Sequence, residues 1–488
     1  MQWHPDEFEQ ARQARDPHFD GRVFIGVLTT GIYCRPICPV RIPRKENIRL
    51  YASAAAAADA GFRPCLRCRP ESAPGTPAWQ GSSHTVARAL QLLARGFLDE
   101  GGLPALAAAV GVGERQLSRL FQKHLGASVL AVVNTQRLHL AKKLIDETRL
   151  PMASICFAAG FRSIRRFNAV FQHVYGRAPS VLRRGDMHVE RPAQDQITLR
   201  LSYRPAFHWR AMLDYLRLRA IPGVEVVTHD CYSRTVVFDG RPTEIHVQFL
   251  EDAHQVLLRL PSSQVRALAQ VVERVKVMFD LNAVSTEIEA CLASDPRLQA
   301  AIAAQSGIRV PTAWDGFEVA VRAIVGQQVS VKGATTLVSR LAAAYGEHYV
   351  SPGCAGLTCV FPQPHVLAQA SLSGLGITGR RIVAIQQLSA AVARGELRFD
   401  GSMDTAVFLE RIQLISGIGP WTAQYIALRA LGDPDAFPHS DLILLRAAAL
   451  PGETLKPATL LAHAQRWRPW RSYAVMLLWH HYALATER

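Results

Sequence analysis

Two short-spaced pairs of cysteines constrain the fold of this chain more than any other feature. Cys34 and Cys38 have three residues between them, Cys65 and Cys68 have two, and 26 residues separate the pairs. Two tight turns with this spacing can present four sulfurs to one tetrahedral Zn2+. The spacing therefore predicts a small domain folded around one zinc ion. From spacing alone, a closed site that only stabilises the domain is the leading interpretation.

At 488 residues the chain is too long for one hydrophobic core, so several domains are expected. No apolar run reaches the roughly 20 residues that a membrane span needs, and the N-terminus lacks a basic and then apolar export pattern. The nine cysteines are an odd number, which argues against a disulfide framework. These observations predict a cytoplasmic protein without a membrane partner.

The positive charge of the chain is concentrated near its N-terminus. Of the formal net charge of +15, +11 falls in residues 1–190 and +4 in the remainder. A basic domain attracts a polyanion because binding releases the counterions condensed on it, so nucleic acid is the leading partner. Membranes and acidic proteins also bind basic domains, and charge alone leaves that choice open.

Three changes in composition divide the chain. A Pro/Gly/Ser-rich stretch at 70–77 indicates a linker, a break near 183–192 precedes strand-like alternation, and a third break at 307–312 precedes further helical periods. The predicted domains are 1–75, 80–188, 195–308 and 309–488.

The residues around the cysteines resemble the N-terminal domain of the Ada adaptive-response regulators, in the segments from Thr29 to Cys38 and from Gly61 to Cys68. The resemblance implies that Cys34 accepts a methyl group irreversibly from a DNA methylphosphotriester. Zinc suits this role because it keeps a thiol deprotonated while the sulfur stays nucleophilic. A DNA-binding protein with an unreactive zinc site remains the alternative.

Basic residues near the cysteines are candidates for contacts with DNA phosphates, although they can also form an ordinary solvated face. They are Arg35, Arg41, Arg44, Lys45, Arg63, Arg67 and Arg69. Methyl transfer to Cys34 would remove one negative charge from the protein at the DNA interface. By Coulomb's law the methylated protein should therefore bind DNA more tightly.

Between Thr85 and Arg183 the apolar spacing is helical, with two similar units on either side of a longer helix at about Val129 to Asp146. Gly111 marks the turn of the first unit. The second unit, from Met152, and its closing Gly/Phe/Pro pattern resemble the AraC-type DNA-binding domain, which implies an all-α double helix-turn-helix. A generic helical linker is the alternative.

The predicted recognition helices begin near Glu114 and Ser163. The side chains that they offer to base edges and phosphates are Arg115, Gln116, Arg119, Arg162, Arg165, Arg166 and Asn168. Such an activator has promoter DNA and RNA polymerase as expected partners.

The segment from Leu414 to Tyr425 predicts a helix, a hairpin with Gly417 and Gly419, and a second helix. The glycines let backbone amides approach a DNA phosphate. Asp441 follows about twenty residues later, and a Trp-rich run ends at Trp479. These features resemble the helix-hairpin-helix glycosylases, most closely the AlkA or 3-methyladenine glycosylase II type, over nearly all of residues 195–485.

The resemblance implies that Asp441 is the catalytic carboxylate and that Trp421, Tyr425 and Trp479 line the pocket for a flipped alkylated base. Aromatic faces attract a cationic purine, and a carboxylate stabilises an oxocarbenium-like sugar. The resemblance also implies that Gln328 is at the position of the wedge residue, which fills the gap left by the base. Taken singly, Asp441 could be a helix cap and the tryptophans could be core residues.

Three absences refine the expected activity. Glycosylases that also cut the strand carry Lys directly after the hairpin, where this chain has Trp421, so no lyase activity is expected. No cysteine follows Cys359, so no iron-sulfur cluster is expected. The Pro-Cys-His-Arg motif of a second Ada methyltransferase domain does not occur, so repair of O6-alkylguanine is not assumed.

The expected fold is multidomain: a small zinc-bound α+β domain, an all-α AraC-type double helix-turn-helix, an α+β accessory domain with a helix around Val265 to Phe279, and an all-α helix-hairpin-helix glycosylase domain. The expected function is alkylation repair and adaptive-response regulation by a cytoplasmic, nucleoid-associated protein that binds alkylated and promoter double-stranded DNA. The alternative is a transcription regulator whose glycosylase-like half is inactive.

Overall fold

A computed structural model describes residues 5–74, 84–94, 96–183 and 195–486. The end of the predicted linker, residues 75–77, and the predicted break at 184–192 lie outside these ranges. The described residues form two compact units. The first unit contains the described residues of Met1–Pro205, Leu250–Lys276 and Leu281–Ala283. The second unit contains the described residues of Ala206–Phe249, Val277–Asp280 and Val284–Arg488. No helix among the described residues is long and apolar enough to cross a membrane.

The helices in chain order are α1 (Pro5–Ala14), α2 (Ala54–Asp59), α3 (His84–Ala94), α4 (Phe97–Ala109), α5 (Glu114–Leu125), α6 (Val129–Glu147), α7 (Met152–Ala158), α8 (Ile164–Tyr175), α9 (Pro179–Leu182), α10 (Trp209–Arg217), α11 (Leu268–Met278), α12 (Ser285–Leu292), α13 (Pro296–Ala304), α14 (Gly316–Val325), α15 (Val331–Tyr345), α16 (Pro364–Gln369), α17 (Gly379–Ala393), α18 (Thr405–Ile412), α19 (Pro420–Ile426), α20 (Leu442–Ala448), α21 (Pro457–His463) and α22 (Arg471–Thr486). The strands are β1 (Phe24–Val27), β2 (Ile32–Cys34), β3 (Ile48–Tyr51), β4 (Arg63–Pro64), β5 (Gln196–Ser202), β6 (Glu225–Val227), β7 (Cys231–Phe238), β8 (Arg241–Leu250) and β9 (Gln255–Pro261).

The cysteine-containing segment folds as a small sheet with strand order β3-β1-β2-β4. Strand β1 is antiparallel to β2 and β3, and Ile25 pairs with Cys34 at the end of β2. Gly26 lies where a Cβ atom would come within 2.8 Å of the Tyr51 ring, so the close packing of that ring requires glycine. The sheet therefore holds Cys34 in a fixed position at the end of an inner strand.

The two helix-turn-helix motifs, both in the first compact unit, have the same construction. Gly111 separates α4 from α5 and Gly160 separates α7 from α8, both in left-handed conformation, with φ of 78° and 81°. The hydroxyl of Ser163 accepts from the backbone N–H of Arg166 and caps α8. Helix α6 runs from Val129 to Glu147 between the two helix-turn-helix motifs. The predicted double helix-turn-helix is confirmed.

The segment predicted as an accessory domain contributes strands to both units. In the first unit β5 and β9 pair antiparallel, with Gln196 opposite Pro261. In the second unit β7 pairs antiparallel with both β6 and β8. The predicted helix at about Val265 begins later, at Leu268, because Gln264 has non-helical angles and Ser262–Ala267 forms a 3-10 turn.

The helical part of the second unit is built around α14. Nearly all of this helix is buried, and its residues Ile324 and Val325 are fully inaccessible. Side chains of α15, α17 and α18 and of the α18–α19 hairpin belong to the same hydrophobic cluster. This core fixes the position of the hairpin relative to the loop that follows α14.

Candidate functional site

The four clustered cysteines form one site in the first unit. Their sulfur atoms lie within 4.8 Å of one another, and all four residues are buried. A turn closed by Cys38 N–H donating to Arg35 O at 3.1 Å positions the first pair, and Cys65 N–H donating to Tyr33 O at 3.0 Å ties the second pair to β2. Four soft sulfurs in a closed cage fit one Zn2+.

Hydrogen bonds between the four thiols make their pKa values depend on one another. Hydrogen bonding with Cys38 raises the pKa of Cys34, and hydrogen bonding with Cys34 lowers the pKa of Cys65. A bound zinc ion keeps such sulfurs as thiolates. The four cysteines have nearly equal exposure, between 6% and 7%. The choice of Cys34 as methyl acceptor therefore rests on the resemblance and not on accessibility.

Arg35 has a different environment from the one expected for a DNA contact. Its guanidinium is buried and donates to the carboxylate of Asp20, with 2.8 Å from Nε to Oδ1, and to the carbonyl of Cys68. Its backbone N–H also donates to Cys68 Sγ at 3.3 Å. Because the Asp20 charge is buried and requires a cation, we assign Arg35 to holding the zinc site and correct its role as a phosphate contact.

The other cations divide into two groups. Arg41, Arg44, Lys45, Arg63 and Arg67 are exposed, as a phosphate contact requires. Arg69 is instead half-buried and pairs with Asp146 of α6 at 3.0 Å.

The zinc module packs directly on the helix-turn-helix domain within the first unit. Next to the ligand Cys34, the Tyr33 hydroxyl forms a 2.9 Å hydrogen bond with His139 Nε2 on α6. Ser53 Oγ donates to the carbonyl of Leu125 at the end of α5. Residues adjoining the zinc ligands are therefore in contact with the DNA-reading domain.

The helix-turn-helix side chains predicted to read DNA lie on exposed surface. Arg115 and Arg119 on α5, and Arg162, Arg165 and Arg166 at the start of α8, are exposed, while Gln116 is half-buried and accepts from Arg119. Asn168 is also exposed. The apolar residues of the same helices, among them Phe121 and Phe171, are fully buried.

In the second unit the predicted catalytic carboxylate and aromatic residues come together. Trp421 Nε1 donates to Asp441 Oδ2 at 3.1 Å, and Trp479 Nε1 donates to Asp441 Oδ1 at 3.0 Å. Asp441 also caps α20 by accepting from Leu444 N–H at 2.8 Å. Asp441 is therefore both a helix cap and a carboxylate held by two indoles, and these donors fix the orientation of both oxygens.

The aromatic rings form a contiguous cluster beside Asp441, in which two rings are stacked and the third is tilted. Trp421 and Tyr425 are stacked at 5.5 Å between centroids and 11° between planes, and Tyr425 meets Trp479 at 6.3 Å. Trp421, Tyr425, Trp479 and Asp441 are all half-exposed, so they are accessible to a ligand. Such a stack suits a planar, positively charged base.

The hairpin glycines are exposed and differ in conformation. Gly417 has a φ of 89°, where an L side chain costs about 1–2 kcal/mol. Gly419 precedes α19 at a φ of −86°, and a Cβ there would meet nothing within 4 Å. The fold thus requires glycine at 417 and not at 419.

This difference gives a test of the phosphate contact. We expect Gly419→Ala to cost under about 1 kcal/mol of stability and to weaken binding to a duplex with an abasic-site analogue about tenfold, because a Cβ occupies the phosphate's approach. Thermal unfolding and fluorescence anisotropy measure the two effects. Unchanged binding in a stable Gly419→Ala protein would rule out a phosphate at this amide.

The loop after α14 presents the predicted wedge residue. Gln328 is exposed and has a left-handed φ of 55°, an unusual conformation for a non-glycine residue. The preceding Gln327 donates from Nε2 to the carbonyl of Gly417 at 2.8 Å and to Thr422 Oγ1 at 3.1 Å. Gln327 therefore ties the wedge loop to the hairpin.

Sequence reasoning missed three residues of this region. Besides Gln327, they are Tyr215 on α10 and Arg429, which follows α19 in a π-helix; Arg429 hydrogen bonds to the hydroxyls of Tyr215 and Tyr425. Arg429 lies one turn after Tyr425, so helical spacing could have indicated it. Tyr215 is separated from Tyr425 by about 200 residues, and no local pattern signals their contact.

Three family models match the chain. The metal binding domain of Ada matches residues 7–71, a helix-turn-helix domain matches residues 106–185, and the AlkA N-terminal domain matches residues 198–315. The chain resembles the archaeal 3-methyladenine DNA glycosylase of Archaeoglobus fulgidus in fold, with a TM-score of 0.52 and 20% identity over 59% of this chain and 99% of that one.

Two curated relatives match different shares of the chain. DNA-3-methyladenine glycosylase 2 of Escherichia coli is 33% identical over 284 residues, 57% of this chain and 96% of the relative. A probable bifunctional transcriptional activator/DNA repair enzyme AlkA of Mycobacterium tuberculosis is 40% identical over 480 residues, 97% of this chain and 96% of the relative. The chain therefore belongs to the family of bifunctional transcriptional activator/DNA repair enzymes that join an Ada-type zinc domain and a helix-turn-helix domain to an AlkA-type glycosylase.

Proposed function

We propose that the C-terminal half hydrolyses the N-glycosidic bond of alkylated bases such as 3-methyladenine, with Asp441 as the catalytic carboxylate. The observation that carries the proposal is the Asp441 carboxylate held by two indoles at the end of an accessible aromatic stack. An inactive, regulator-only domain would have no need to keep this carboxylate and the stack together.

In the proposed reaction a flipped base lies against Trp421 and Tyr425. As the glycosidic bond breaks, its electron pair leaves with the base, and positive charge develops on the sugar. The Asp441 carboxylate stabilises that charge, and water then adds to the sugar carbon and loses a proton. Gln328 would fill the gap in the duplex, and the absence of Lys at position 421 leaves the strand uncut.

The experiment that tests this function measures free bases released from methylated duplex DNA by the full-length protein, alongside strand cutting. Release of 3-methyladenine with abasic strands left intact supports a monofunctional glycosylase. An absence of released base would favour the alternative of a regulator with an inactive glycosylase-like half.

We also propose that Cys34 is the methyl acceptor. Its sulfur attacks the methyl carbon of a phosphotriester, a sulfur–carbon bond forms, and the oxygen–carbon bond breaks to leave an ordinary phosphodiester anion. The protein thereby loses one negative charge. The exposed residues Arg44, Lys45 and Arg67 are the proposed phosphate contacts.

The zinc module's contact with α6 supports a role for this charge change in transcription. The hydrogen bond between Tyr33 and His139 places the acceptor strand against the helix that joins the two DNA-reading units. We propose that the methylated protein binds promoter DNA more tightly, associates with the nucleoid and acts with RNA polymerase.

Reaction with methylphosphotriester DNA should therefore increase promoter affinity, by roughly tenfold at low salt and less as salt is raised. Mass spectrometry of tryptic peptides should locate the methyl group on Cys34 and not on Cys38, and anisotropy with a promoter fragment measures affinity. Equal affinities before and after reaction would exclude the switch. An unmodified Cys34 at full zinc occupancy would favour the unreactive zinc site.

A further inference from the structure

Behind the aromatic stack, the second unit contains an alternating series of arginine and tyrosine side chains. Arg429 is 5% exposed, and its Nη1 donates to the Tyr425 hydroxyl at 3.2 Å and to the Tyr215 hydroxyl. Its guanidinium lies 4.6 Å from the centroid of the Tyr215 ring. A second guanidinium, from Arg219, lies 3.6 Å from the same centroid. The Tyr215 ring therefore contacts two cations.

These contacts join a series of side chains that has a negative charge at one end and positive charges at the other. Asp441 binds the indole of Trp421, which stacks on Tyr425, whose hydroxyl meets Arg429. Tyr215 on α10 and Arg219 in the turn after it continue the series. The proposed base pocket thus has a carboxylate at one end and guanidinium groups beyond the tyrosine at the other.

The charged groups that act on Tyr425 come from several elements. Arg429 follows it in its own helical segment, Tyr215 comes from α10, Arg219 from the turn after α10, and Arg322 from α14. Two carboxylates act on these arginines. Glu225 of β6 acts on Arg429 and Arg322, and Glu318 of α14 acts on Arg322. Three arginines near one phenol create a site that disfavours a cationic base unless a negative charge offsets them.

Asp441 and Glu225 offset part of the arginine charge, and Tyr425 is the group within the stack itself that can add a further negative charge. Although the residue is half-exposed, desolvation of its phenol opposes ionisation. Arg429, Arg219, the hydrogen bond with Tyr215 and Arg322 together outweigh this and lower the pKa of Tyr425 to about 8. Burial raises the pKa of Tyr215. Tyr425 therefore loses its proton to solvent first, and the neutral Tyr215 hydroxyl then donates to the phenolate.

We propose that Tyr215 and Arg429 are positioning residues for Tyr425, which forms one wall of the base pocket. The charge of this wall depends on whether the Tyr425 hydroxyl carries its proton, and that charge sets the preference of the pocket for cationic over neutral bases. This inference rests on the proposed base-excision function. With Tyr425 protonated, the three arginines oppose a cationic base. With Tyr425 ionised, the base lies against a phenolate and the opposition is removed.

The first experiment follows the preference for a cationic base as a function of pH. Two constants are measured: the KM for a duplex with one 3-methyladenine, and the inhibition constant of the same duplex with adenine at that position. Both include the same contacts with the rest of the DNA, so the ratio of KM to the inhibition constant reports the preference for the cationic base. For the wild type this ratio should fall roughly tenfold between about pH 7 and about pH 9, with a smaller change in kcat. A ratio that does not change with pH in the wild type overturns the proposal.

Two variants assign the response to the tyrosine pair. Tyr425→Phe should remove the pH response, and Tyr215→Phe, which keeps the ring between the guanidiniums but lacks the hydroxyl, should move it to higher pH. Tyr345→Phe is the matched control, because its hydroxyl donates to the Ser371 carbonyl elsewhere in the same unit. If Tyr425→Phe and Tyr215→Phe both keep the pH dependence of the wild type, the proposal is overturned.

Near-ultraviolet absorbance of tyrosinate gives a readout that does not depend on activity. The wild type should ionise one tyrosine more than Tyr425→Phe near pH 8, and in Tyr215→Phe that ionisation should occur at higher pH. If no base is released at any pH while this ionisation is present, the proposed function fails and the charged wall stands. If base is released but the ionisation is absent, the charged wall fails and the proposed function stands.

Discussion

Replacing Asp441 with Asn should abolish release of 3-methyladenine from methylated duplex DNA, lowering the single-turnover rate by about 10²–10³-fold or more. The neutral amide cannot offset positive charge on the sugar. The amide NH2 also replaces one of the two carboxylate oxygens, which accept from Trp421 and Trp479 at 3.1 Å and 3.0 Å, so one indole N–H would face a donor. Because Asn is a good helix cap, α20 should keep its first turn and stability should change little.

The matched control is Asp404→Asn. Asp404 is an exposed cap of α18, where its side chain accepts from Ala406 N–H, so the same substitution is made at an equivalent position on another helix. This variant should release base at the wild-type rate. Base release is measured by chromatography, and circular dichroism confirms folding. Release that persists in a folded Asp441→Asn protein would refute the assigned carboxylate.

Loss of zinc is the second large effect. Binding of a structural zinc ion contributes about 10–16 kcal/mol to folding in small zinc domains, and the sheet around Cys34 has only a small core of its own. That core is divided into two clusters, one of Phe24, Tyr33, Ala57 and Phe62 and the other of Phe8, Ala11, Phe19, Val23 and Ile25. Chelation, or the ligand variant Cys38→Ser, should therefore unfold the zinc module. Metal analysis should find one zinc per wild-type chain and less than one in the variant.

Cys354→Ser is the control for the zinc experiment, because Cys354 is a half-buried free thiol in the second unit. It should retain one zinc. Hydrogen exchange should show lost protection in β1 to β4 of Cys38→Ser, while peptides around Asp441 remain protected and base release continues. A full complement of zinc in Cys38→Ser would contradict the four-cysteine site.

Several features of the fold were predictable from the sequence because they depend on local spacing. The two cysteine pairs, the glycines at 111 and 160, and the start of α8 at Ser163 all follow from residues close together in the chain. The hairpin before Trp421 belongs to the same class. A turn, a cap or a metal site needs particular residue types at short separations, and a single sequence shows these directly.

Roles that depend on distant partners could not be predicted. Arg35 follows a zinc ligand in a basic segment, and this pattern predicted a phosphate contact. The structure buries it against Asp20. The approach of Tyr215 to Tyr425 through Arg429 likewise depends on packing between α10 and the segment after α19.

The sequence by itself determined the modules, the zinc ligands and the group of residues proposed for base excision, because short-range patterns and the resemblance identify residue types in fixed order. Only the tertiary structure decided which cations are buried, that the zinc module packs on α6 and that Arg429 meets the hydroxyl of Tyr425. The physical reason is that burial and charge depend on which distant segments meet. The strength of an electrostatic interaction depends on that environment more than on the identity of the charged residue.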